Sequence, residues 1–394
     1  MSFLIDPALS GDLSLRHKRL QQALISSGAD ALLLSSNVSL YYVSGQVYRG
    51  WFYLPAEGNP IYFIKRPVGL RGETLHYIQH PREIPERLRE LGISTPGKLL
   101  IEGETSYEEW MQWKEWFPHT VLDNATRVLR KVRAVKTPWE QQQIIESARL
   151  HSIGYQQIPS LYRPGMTDLD LSIEIEYTLR KMGNLGIFRI FGSSMEIHFG
   201  VVLAGDNASE PSPYDFALGG KGLHPSIPVG ENGSVIAEGH TVLVDVCGNF
   251  TGYMSDMSRL FVLGNLPKQA IKAYEVALEI NDTLSEEGKP GVSGAFLYQK
   301  ALSIVRKAGL DSCFMGNRQK ARFVGHGVGI EVNELPVLAD RSDDPLEEGM
   351  SIAIEPKFVF PGLGAIGIED TYLVRPGGME RITLCSREIK PLIH

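Results

Sequence analysis

The spacing of apolar residues divides the first third of the chain into short strands and amphipathic helices. Apolar residues recur every three to four positions over residues 15–27 and 84–91, which is the spacing of a helix with one buried face. Short apolar runs over residues 31–35 and 61–65 are typical of strands. This mixture predicts an α/β domain over residues 1–132.

The pattern changes after the basic run that ends at Arg133. A proline and a helix start follow this run, so we place a domain boundary between residues 128 and 137 and predict a second domain over residues 133–394. Strand-like runs dominate this domain from about residue 186 onward. Its predicted helices cover residues 139–155, 168–182, 266–286 and 293–308. Helices combined with antiparallel hairpins predict an α+β fold.

Two strand-like runs of the second domain each carry an aspartate. Asp245 and Asp256 lie in apolar, β-branched runs that are separated by the turn-like stretch 248–252. A hairpin that turns about Phe250 and Thr251 would place the two aspartates opposite each other. Cross-strand Cβ atoms are only about 4.5 to 5.5 Å apart, and like charges at that distance destabilise a sheet.

A second pair of runs repeats this arrangement with glutamates. Glu355 and Glu369 lie on either side of the turn-like stretch 361–364, and the expected hairpin places them close to opposite one another. His326, flanked by glycines, lies between the two hairpins in the sequence. Four acidic side chains brought together need protons or cations to neutralise them. Oxygen ligands with one imidazole suit a pair of divalent metal ions.

The segments that carry these residues resemble the prolidase and aminopeptidase P metallopeptidases. These segments are residues 244–259, 325–336, 348–356 and 367–371. All five metal-ligand positions of that family are filled here with the family's residue types. Residues 30–45 are similar to a creatinase-like N-terminal domain, and residues 130–140 are similar to the start of the family's catalytic domain. The resemblance implies a pita-bread catalytic domain over residues 133–394, preceded by a smaller creatinase-like domain over residues 1–132.

The resemblance also implies an activity. The expected reaction is hydrolysis of the Xaa-Pro bond at the N-terminus of short peptides, of the aminopeptidase or dipeptidase type, by a hydroxide that bridges two divalent ions. Asp256 and Glu369 would bridge the ions, Asp245 would complete the shell of one ion, and His326 with Glu355 would complete that of the other. Glu355 would also pass a proton to the leaving nitrogen. The ions would be Mn²⁺, Co²⁺, Zn²⁺ or Fe²⁺, and a homodimer is expected.

Two residues depart from the family pattern. Asn333 stands where prolidases usually have a histidine that contacts the scissile carbonyl or the tetrahedral intermediate, so we retain it as a candidate catalytic residue. Asparagine can donate a hydrogen bond but carries no charge. Gly367 stands where many relatives have an arginine, so we expect a cation beside the metal ligands to be missing. His224 is either a substrate-facing residue or part of a surface loop, and His198 is a weaker candidate of the same kind.

These departures leave a second activity open. A metal-dependent lyase or hydrolase that acts on a small non-peptide molecule would use the same fold and the same ligands. A third alternative is a binding module that has kept the fold without the chemistry, but the complete set of ligand residues argues against it.

Composition and charge exclude several other classes of protein. The chain of 394 residues is 43% hydrophobic and 22% charged, as in ordinary globular proteins. Its net charge of −7 argues against nucleic acid or an anionic membrane surface as a partner. It shows neither a signal-peptide pattern nor an apolar run of membrane-spanning length. Three widely separated cysteines, Cys247, Cys313 and Cys385, indicate a reducing environment, so we expect a cytoplasmic location.

Overall fold

The chain folds as two compact units, Met1–Arg133 and Ala134–His394. The structure is a computed structural model that describes residues 7–192, 195–196 and 198–392. Among these described residues, no helix is both long and apolar enough to cross a membrane. Cys247, Cys313 and Cys385 are all buried free thiols, as the absence of a disulfide pattern predicted.

The described part of the first unit contains a six-stranded mixed sheet, five α-helices and one 3-10 helix (Pro81–Glu83). The helices are α1 (Pro7–Ser26), α2 (Asn37–Ser44), α3 (Ile84–Glu90), α4 (Tyr107–Trp116) and α5 (Thr126–Ala134). The strands are β1 (Ala31–Leu34), β2 (Arg49–Pro55), β3 (Ile61–Arg66), β4 (Leu75–Tyr77), β5 (Lys98–Ile101) and β6 (Val121–Asn124), in the sheet order β4-β3-β2-β1-β5-β6. All four residues of β1 are buried, because this strand has a neighbour on both sides and packs within the apolar core.

The second unit begins with helices and continues with hairpins. Its helices are α6 (Pro138–Tyr155), α7 (Ile158–Leu161), α8 (Asp168–Lys181), α9 (Lys268–Glu287) and α10 (Gly294–Ala308). Thr137 begins α6 with a capping box to Glu140, which explains why this helix starts where the proline predicted. The first strand begins at Gly200, so the prediction of strands from about residue 186 is wrong for the described residues of 186–199.

Where the structure describes the second unit, its strands form two larger sheets and two short ribbons. They are β7 (Gly200–Ala204), β8 (Thr241–Val246), β9 (Gly248–Asn249), β10 (Met254–Ser255), β11 (Ser258–Val262), β12 (Phe323–Gly327), β13 (Glu334–Ala339), β14 (Ser351–Ile354), β15 (Lys357–Phe360), β16 (Gly364–Gly367), β17 (Asp370–Arg375), β18 (Gly378–Arg381) and β19 (Lys390–Pro391). The sheet orders are β19-β11-β8-β7 and β13-β12-β14-β17-β18, while β9 pairs with β10 and β15 pairs with β16. A shared apolar core joins α9 and α10 to residues of both larger sheets.

Candidate metal centre

The hairpin that carries the two aspartates has a different register from the predicted one. Asp245 pairs with Ser258, and Asn249 pairs with Met254, so the prediction that Asp245 and Asp256 face each other is wrong. The reason is the turn, which has four residues instead of two between its closing pair. Its centre includes Gly252, whose φ of 89° suits glycine, and Thr251 Oγ1, which donates a 3.0 Å hydrogen bond to the Gln143 carbonyl of α6.

The hairpin that carries the two glutamates has the predicted register. Ile354 pairs with Asp370 in β14 and β17, and Lys357 pairs with Gly367 in β15 and β16. The two strand pairs continue the same register. Glu355 and Glu369 lie between these two residue pairs in the sequence, so they are opposite one another. Main-chain hydrogen bonds from Glu355 N to Val324 O (2.9 Å) and from Glu369 N to Ser258 O (3.3 Å) tie this point to neighbouring strands.

The five predicted residues lie together in spite of the altered register. Potential ligand atoms of Asp256, His326 and Glu369 lie within 4.8 Å of one another, and so do those of Asp245, Glu355 and Glu369. We call these sets the histidine group and the acidic group. Glu369 belongs to both, so the two sets form one continuous cluster. Asp256, Glu355 and Glu369 are buried, whereas Asp245 and His326 are partly exposed.

Hydrogen bonds orient two members of the histidine group. Thr371 Oγ1 accepts from Asp256 N at 2.8 Å and donates to Asp256 O at 2.7 Å, which fixes the backbone of the aspartate. On His326, Nδ1 lies 3.1 Å from Gly327 O, and Nε2 lies 3.2 Å from Glu355 Oε1 and 3.8 Å from Asp256 Oδ2. An Nδ1–H bond to the backbone leaves Nε2 as the ring atom that can bind a metal.

A lysine that the sequence analysis did not consider ends inside the acidic group. Lys357 Nζ lies 2.6 Å from Asp245 Oδ2, 2.6 Å from Glu355 Oε2 and 3.3 Å from Glu369 Oε2. Its side chain is only 1% exposed. Residues two apart on a strand point to the same face, so the spacing of Glu355 and Lys357 was a usable signal in the sequence. The expectation that Gly367 leaves the site without a cation is therefore wrong.

The charges of the cluster shift the protonation of His326 and Glu355 in opposite directions. Burial alone would lower the pKa of His326, but its hydrogen bond to Glu355 and the nearby carboxylates raise this pKa to about 9. Burial alone would raise the pKa of Glu355, but Lys357 and His326 lower it to about 2. His326 thus carries a proton that a divalent ion would displace, because imidazole binds metals in its neutral form.

The pKa values of the other two buried carboxylates are both raised. Burial, followed by the charge of Asp245, raises the pKa of Asp256 to about 6. Burial and the charge of Asp256 raise the pKa of Glu369 well above its ordinary value. Burial would lower the pKa of Lys357, but the three carboxylates of the acidic group raise it well above the usual range. Bound protons and one ammonium group therefore offset part of the negative charge of the cluster, and a bound metal ion would release some of those protons.

Gly367 leaves room for the lysine stem, and this leads to a prediction. A Cβ atom built at Gly367 would lie 2.8 Å from Lys357 Cγ and 2.6 Å from Pro356 O, closer than real Cβ contacts. We expect Gly367→Ala to lower the free energy of unfolding by about 1 to 3 kcal/mol, because overpacking forces neighbours to shift. Urea denaturation measures this change.

Gly377→Ala is the matched control for this prediction. A Cβ atom at Gly377 would meet no atom within 4 Å, and this residue does not have the positive φ that favours glycine. Its alanine variant should unfold at nearly the wild-type urea concentration. Equal losses in the two variants would contradict the tight contact between Gly367 and Lys357.

Arg259 contacts the backbone of Glu369 and the side chain of the next residue, Asp370. Arg259 Nη1 donates to the carbonyl oxygen of Glu369 at 2.7 Å, and Arg259 Nη2 donates to Asp370 Oδ1 at 2.7 Å. Thr383 Oγ1 and Arg387 Nε also donate to Asp370, at 2.7 and 2.8 Å. The side chains of Asp370 and Arg259 are 0% and 2% exposed, so this ion pair is buried next to Glu369.

The remaining predicted site residues are His224, His198 and Asn333. His224 is exposed, and its Nδ1 lies 2.8 Å from Ser226 Oγ, within the same turn. His198 is also exposed. The amide of Asn333 is bonded on both sides to the backbone of one residue: Oδ1 accepts from Phe191 N at 2.7 Å, and Nδ2 donates to Phe191 O at 2.9 Å. Asn333 therefore holds the segment around Phe191 in place.

The chain is similar to known proteins over nearly its full length. It is 25% identical over 381 residues to the Xaa-Pro dipeptidase of Pyrococcus furiosus, which covers 95% of this chain and 99% of that protein. It is 26% identical over 392 residues to the Xaa-Pro dipeptidase of Lactobacillus helveticus, which covers 94% of this chain and 97% of that protein.

Solved structures share the fold. An Xaa-Pro dipeptidase from Bacillus anthracis superposes with a TM-score of 0.79 at 24% identity, covering 96% of this chain and all of that chain. The prolidase from Pyrococcus horikoshii OT3 superposes with a TM-score of 0.76 at 22% identity, covering 95% of this chain and 99% of that chain. These similarities confirm the predicted fold class.

Two family profiles identify the parts of the chain. The profile of the Creatinase/Prolidase N-terminal domain matches residues 16–135. The profile of Metallopeptidase family M24 matches residues 142–376, which is more than half of the chain and includes all five residues of the cluster. The chain belongs to metallopeptidase family M24, with a creatinase/prolidase N-terminal domain ahead of its catalytic domain.

Proposed function

We propose that this metallopeptidase hydrolyses the Xaa-Pro bond at the N-terminus of short peptides, with divalent metal bound at the cluster described above. The observation that carries the proposal is the sharing of Glu369 between the histidine group and the acidic group. The names of the relatives support the choice of substrate, since several are Xaa-Pro dipeptidases that match the chain from end to end.

The histidine group fits a divalent ion well. Asp256 and Glu369 offer carboxylate oxygens and His326 offers Nε2, a donor set that suits Mn²⁺, Co²⁺, Zn²⁺ or Fe²⁺. When bound there, such an ion lowers the pKa of a water molecule and polarises the substrate carbonyl. Asp245 and Glu355, with Glu369, would hold the second ion of a two-ion site, but the ammonium group of Lys357 already lies among these three residues.

Glu355 is placed to move a proton during the reaction. Lys357 Nζ lies 2.6 Å from Glu355 Oε2 and keeps this carboxylate fixed and ionised, and this contact does not depend on His326 Nε2, which would bind the metal ion. A fixed carboxylate can take a proton from the attacking water and return it to the leaving nitrogen.

Asn333 enters the proposal as a positioning residue. Its Oδ1 accepts from Phe191 N and one N–H of its Nδ2 donates to Phe191 O, so it holds Phe191, while its contact with a substrate carbonyl stays a prediction. His224 stays a prediction of substrate contact. The expected homodimer and the cytoplasmic location also stay predictions.

The proposal is tested by a peptide panel with controlled metal content. We expect purified protein to hydrolyse Xaa-Pro dipeptides or longer peptides with proline second, to lose at least about 99% of this activity after chelation, and to regain it with Mn²⁺, Co²⁺ or Zn²⁺. Liberated amino acids are measured by chromatography, and matched peptides with alanine in place of proline are the control substrates. Absence of turnover with every metal would reject the proposal.

A small non-peptide substrate is the second candidate function. The observation that favours it is the surroundings of the cluster. Lys357 adds a positive charge to the acidic group, Gly367 leaves room for it, and the Asn333 amide is hydrogen-bonded to the backbone of Phe191. A metabolite panel run beside the peptide panel separates the two functions. Metal-dependent turnover of a metabolite that is lost in Asp256→Ala, without peptide turnover, would favour this candidate.

A further inference from the structure

The side chain of Lys357 ends among three carboxylates, in the acidic group. Its Nζ lies 2.6, 2.6 and 3.3 Å from oxygens of Asp245, Glu355 and Glu369, and the side chain is 1% exposed. An ammonium group has three N–H donors and no acceptor. One donor is therefore available for each carboxylate, and the lysine engages every member of the group.

A metal ion held by the acidic group would compete with this ammonium group. The ion would need the same oxygen lone pairs, at the roughly 2.0 to 2.6 Å typical of hard divalent ions. It would also meet a like charge at short range in a buried site, where screening by water is weak. Ammonium and metal ion are thus alternatives at this position.

The backbone fixes the lysine in its position. Lys357 is the first residue of β15 and pairs with Gly367 of β16, and its carbonyl oxygen accepts a 2.8 Å hydrogen bond from Met315 N. A side chain at position 367 would collide with the lysine stem, since even a Cβ atom there would be 2.8 Å from Lys357 Cγ. The glycine and the lysine therefore form one structural feature, in which the missing side chain makes room for the inserted cation.

The histidine group is arranged differently. Lys357 contacts Glu369 through Oε2, and its ion pairs join it to the three carboxylates of the acidic group. Asp256 Oδ2 and His326 Nε2 are 3.8 Å apart and converge on the same point as Glu369. This group keeps a complete set of donors for one ion.

We propose that Lys357 takes the place of the second metal ion, so that the centre holds one divalent ion at Asp256, His326 and Glu369 beside a fixed ammonium group. The inference rests on the metal site of the proposed function, but not on the identity of the substrate. Lys357 is a positioning residue in this arrangement, because it fixes the carboxylates of Asp245 and Glu355.

Metal counting tests this inference. Wild type and Lys357→Ala are stripped with chelator and dialysed against Mn²⁺, and bound ions are counted by mass spectrometry and examined by electron paramagnetic resonance. Asp256→Ala, treated identically, gives the number of ions bound outside the centre, which is subtracted. We expect one ion per wild-type chain with the spectrum of an isolated Mn²⁺. In Lys357→Ala we expect a twofold higher count with the spectrum of a spin-coupled pair.

Several outcomes would overturn the inference. Wild type that binds two spin-coupled ions per chain overturns it, and so does wild type that binds none. Lys357→Ala that folds but still binds a single ion also overturns it. If Lys357→Ala does not fold, the wild-type count and spectrum alone decide.

The same samples separate this inference from the proposed function. Wild type with one ion and no Xaa-Pro hydrolysis would reject the proposed substrate and support the role of Lys357. Wild type with two coupled ions and full Xaa-Pro hydrolysis would support the proposed substrate and reject the role of Lys357.

Discussion

Replacing Glu369 with glutamine is expected to lower metal affinity and kcat/KM by at least about a hundredfold, since even residues that only orient metal ligands contribute 10- to 100-fold. Glu369 is the residue shared by the histidine group and the acidic group, and it is 1% exposed. Glutamine keeps the shape of the side chain but cannot supply an anionic ligand. Isothermal titration with Mn²⁺ and steady-state kinetics with an Xaa-Pro peptide measure the two losses.

Stability separates this effect from misfolding. Burial raises the pKa of Glu369 well above its ordinary value, and glutamine resembles the protonated acid, so Glu369→Gln should leave the metal-free protein about as stable as wild type. Glu380→Gln is the matched control, because the Glu380 side chain is 57% exposed and its pairing with Arg375 lies on the surface. Near-wild-type metal affinity in Glu369→Gln would show that the cluster does not bind metal.

Replacing Asp370 with asparagine is expected to lower the free energy of unfolding by about 3 to 5 kcal/mol, because removal of one partner leaves a buried charge without compensation. The guanidinium of Arg259 also donates to carbonyl oxygens of Ser258, Glu369, Cys385 and Ser386. Carbonyl groups satisfy its hydrogen bonds but cannot neutralise its charge. Asp370 also pairs with Arg387 at 2.8 Å and with Arg381 at 3.7 Å, so the variant leaves three arginines without their shared carboxylate.

Urea denaturation in the presence of chelator measures this loss without a contribution from bound metal. Glu380→Gln serves again as the control, because it also replaces a carboxylate that pairs with an arginine by a neutral amide of the same shape. Exposed ion pairs contribute only about 0 to 1 kcal/mol to the free energy of unfolding. Similar losses in Asp370→Asn and Glu380→Gln would mean that the buried pair contributes no more than a surface pair.

The turn between the aspartate strands shows how far sequence patterns reach. Alternation of apolar residues located both strands, but the register depends on the length of the turn, and that length depends on a hydrogen bond from Thr251 to α6. No local pattern encodes a contact with residue 143. The register of the glutamate hairpin was predicted correctly, because its turn closes between Phe360 and Gly364, at the turn-like stretch that the sequence marks.

Lys357 shows a different reason for an incomplete prediction. A lysine at the start of an apolar strand is usually solvated, because burial of a charge is costly. Here the cost is offset by three carboxylates: Glu355 lies only two residues away, but Asp245 is brought to the lysine only by the folded chain. The sequence therefore offered a signal for one of these contacts, whereas the complete enclosure of the ammonium group required the tertiary structure.

The lysine also determines the order in which the centre is assembled. An acidic group that contains its own counter-ion allows the polypeptide to close around it before any metal arrives. Small metal-dependent domains, by contrast, stay unfolded until their ion binds. A cell short of metal should therefore accumulate this protein as a folded and inactive reserve, and activity should return on resupply of metal without new protein synthesis.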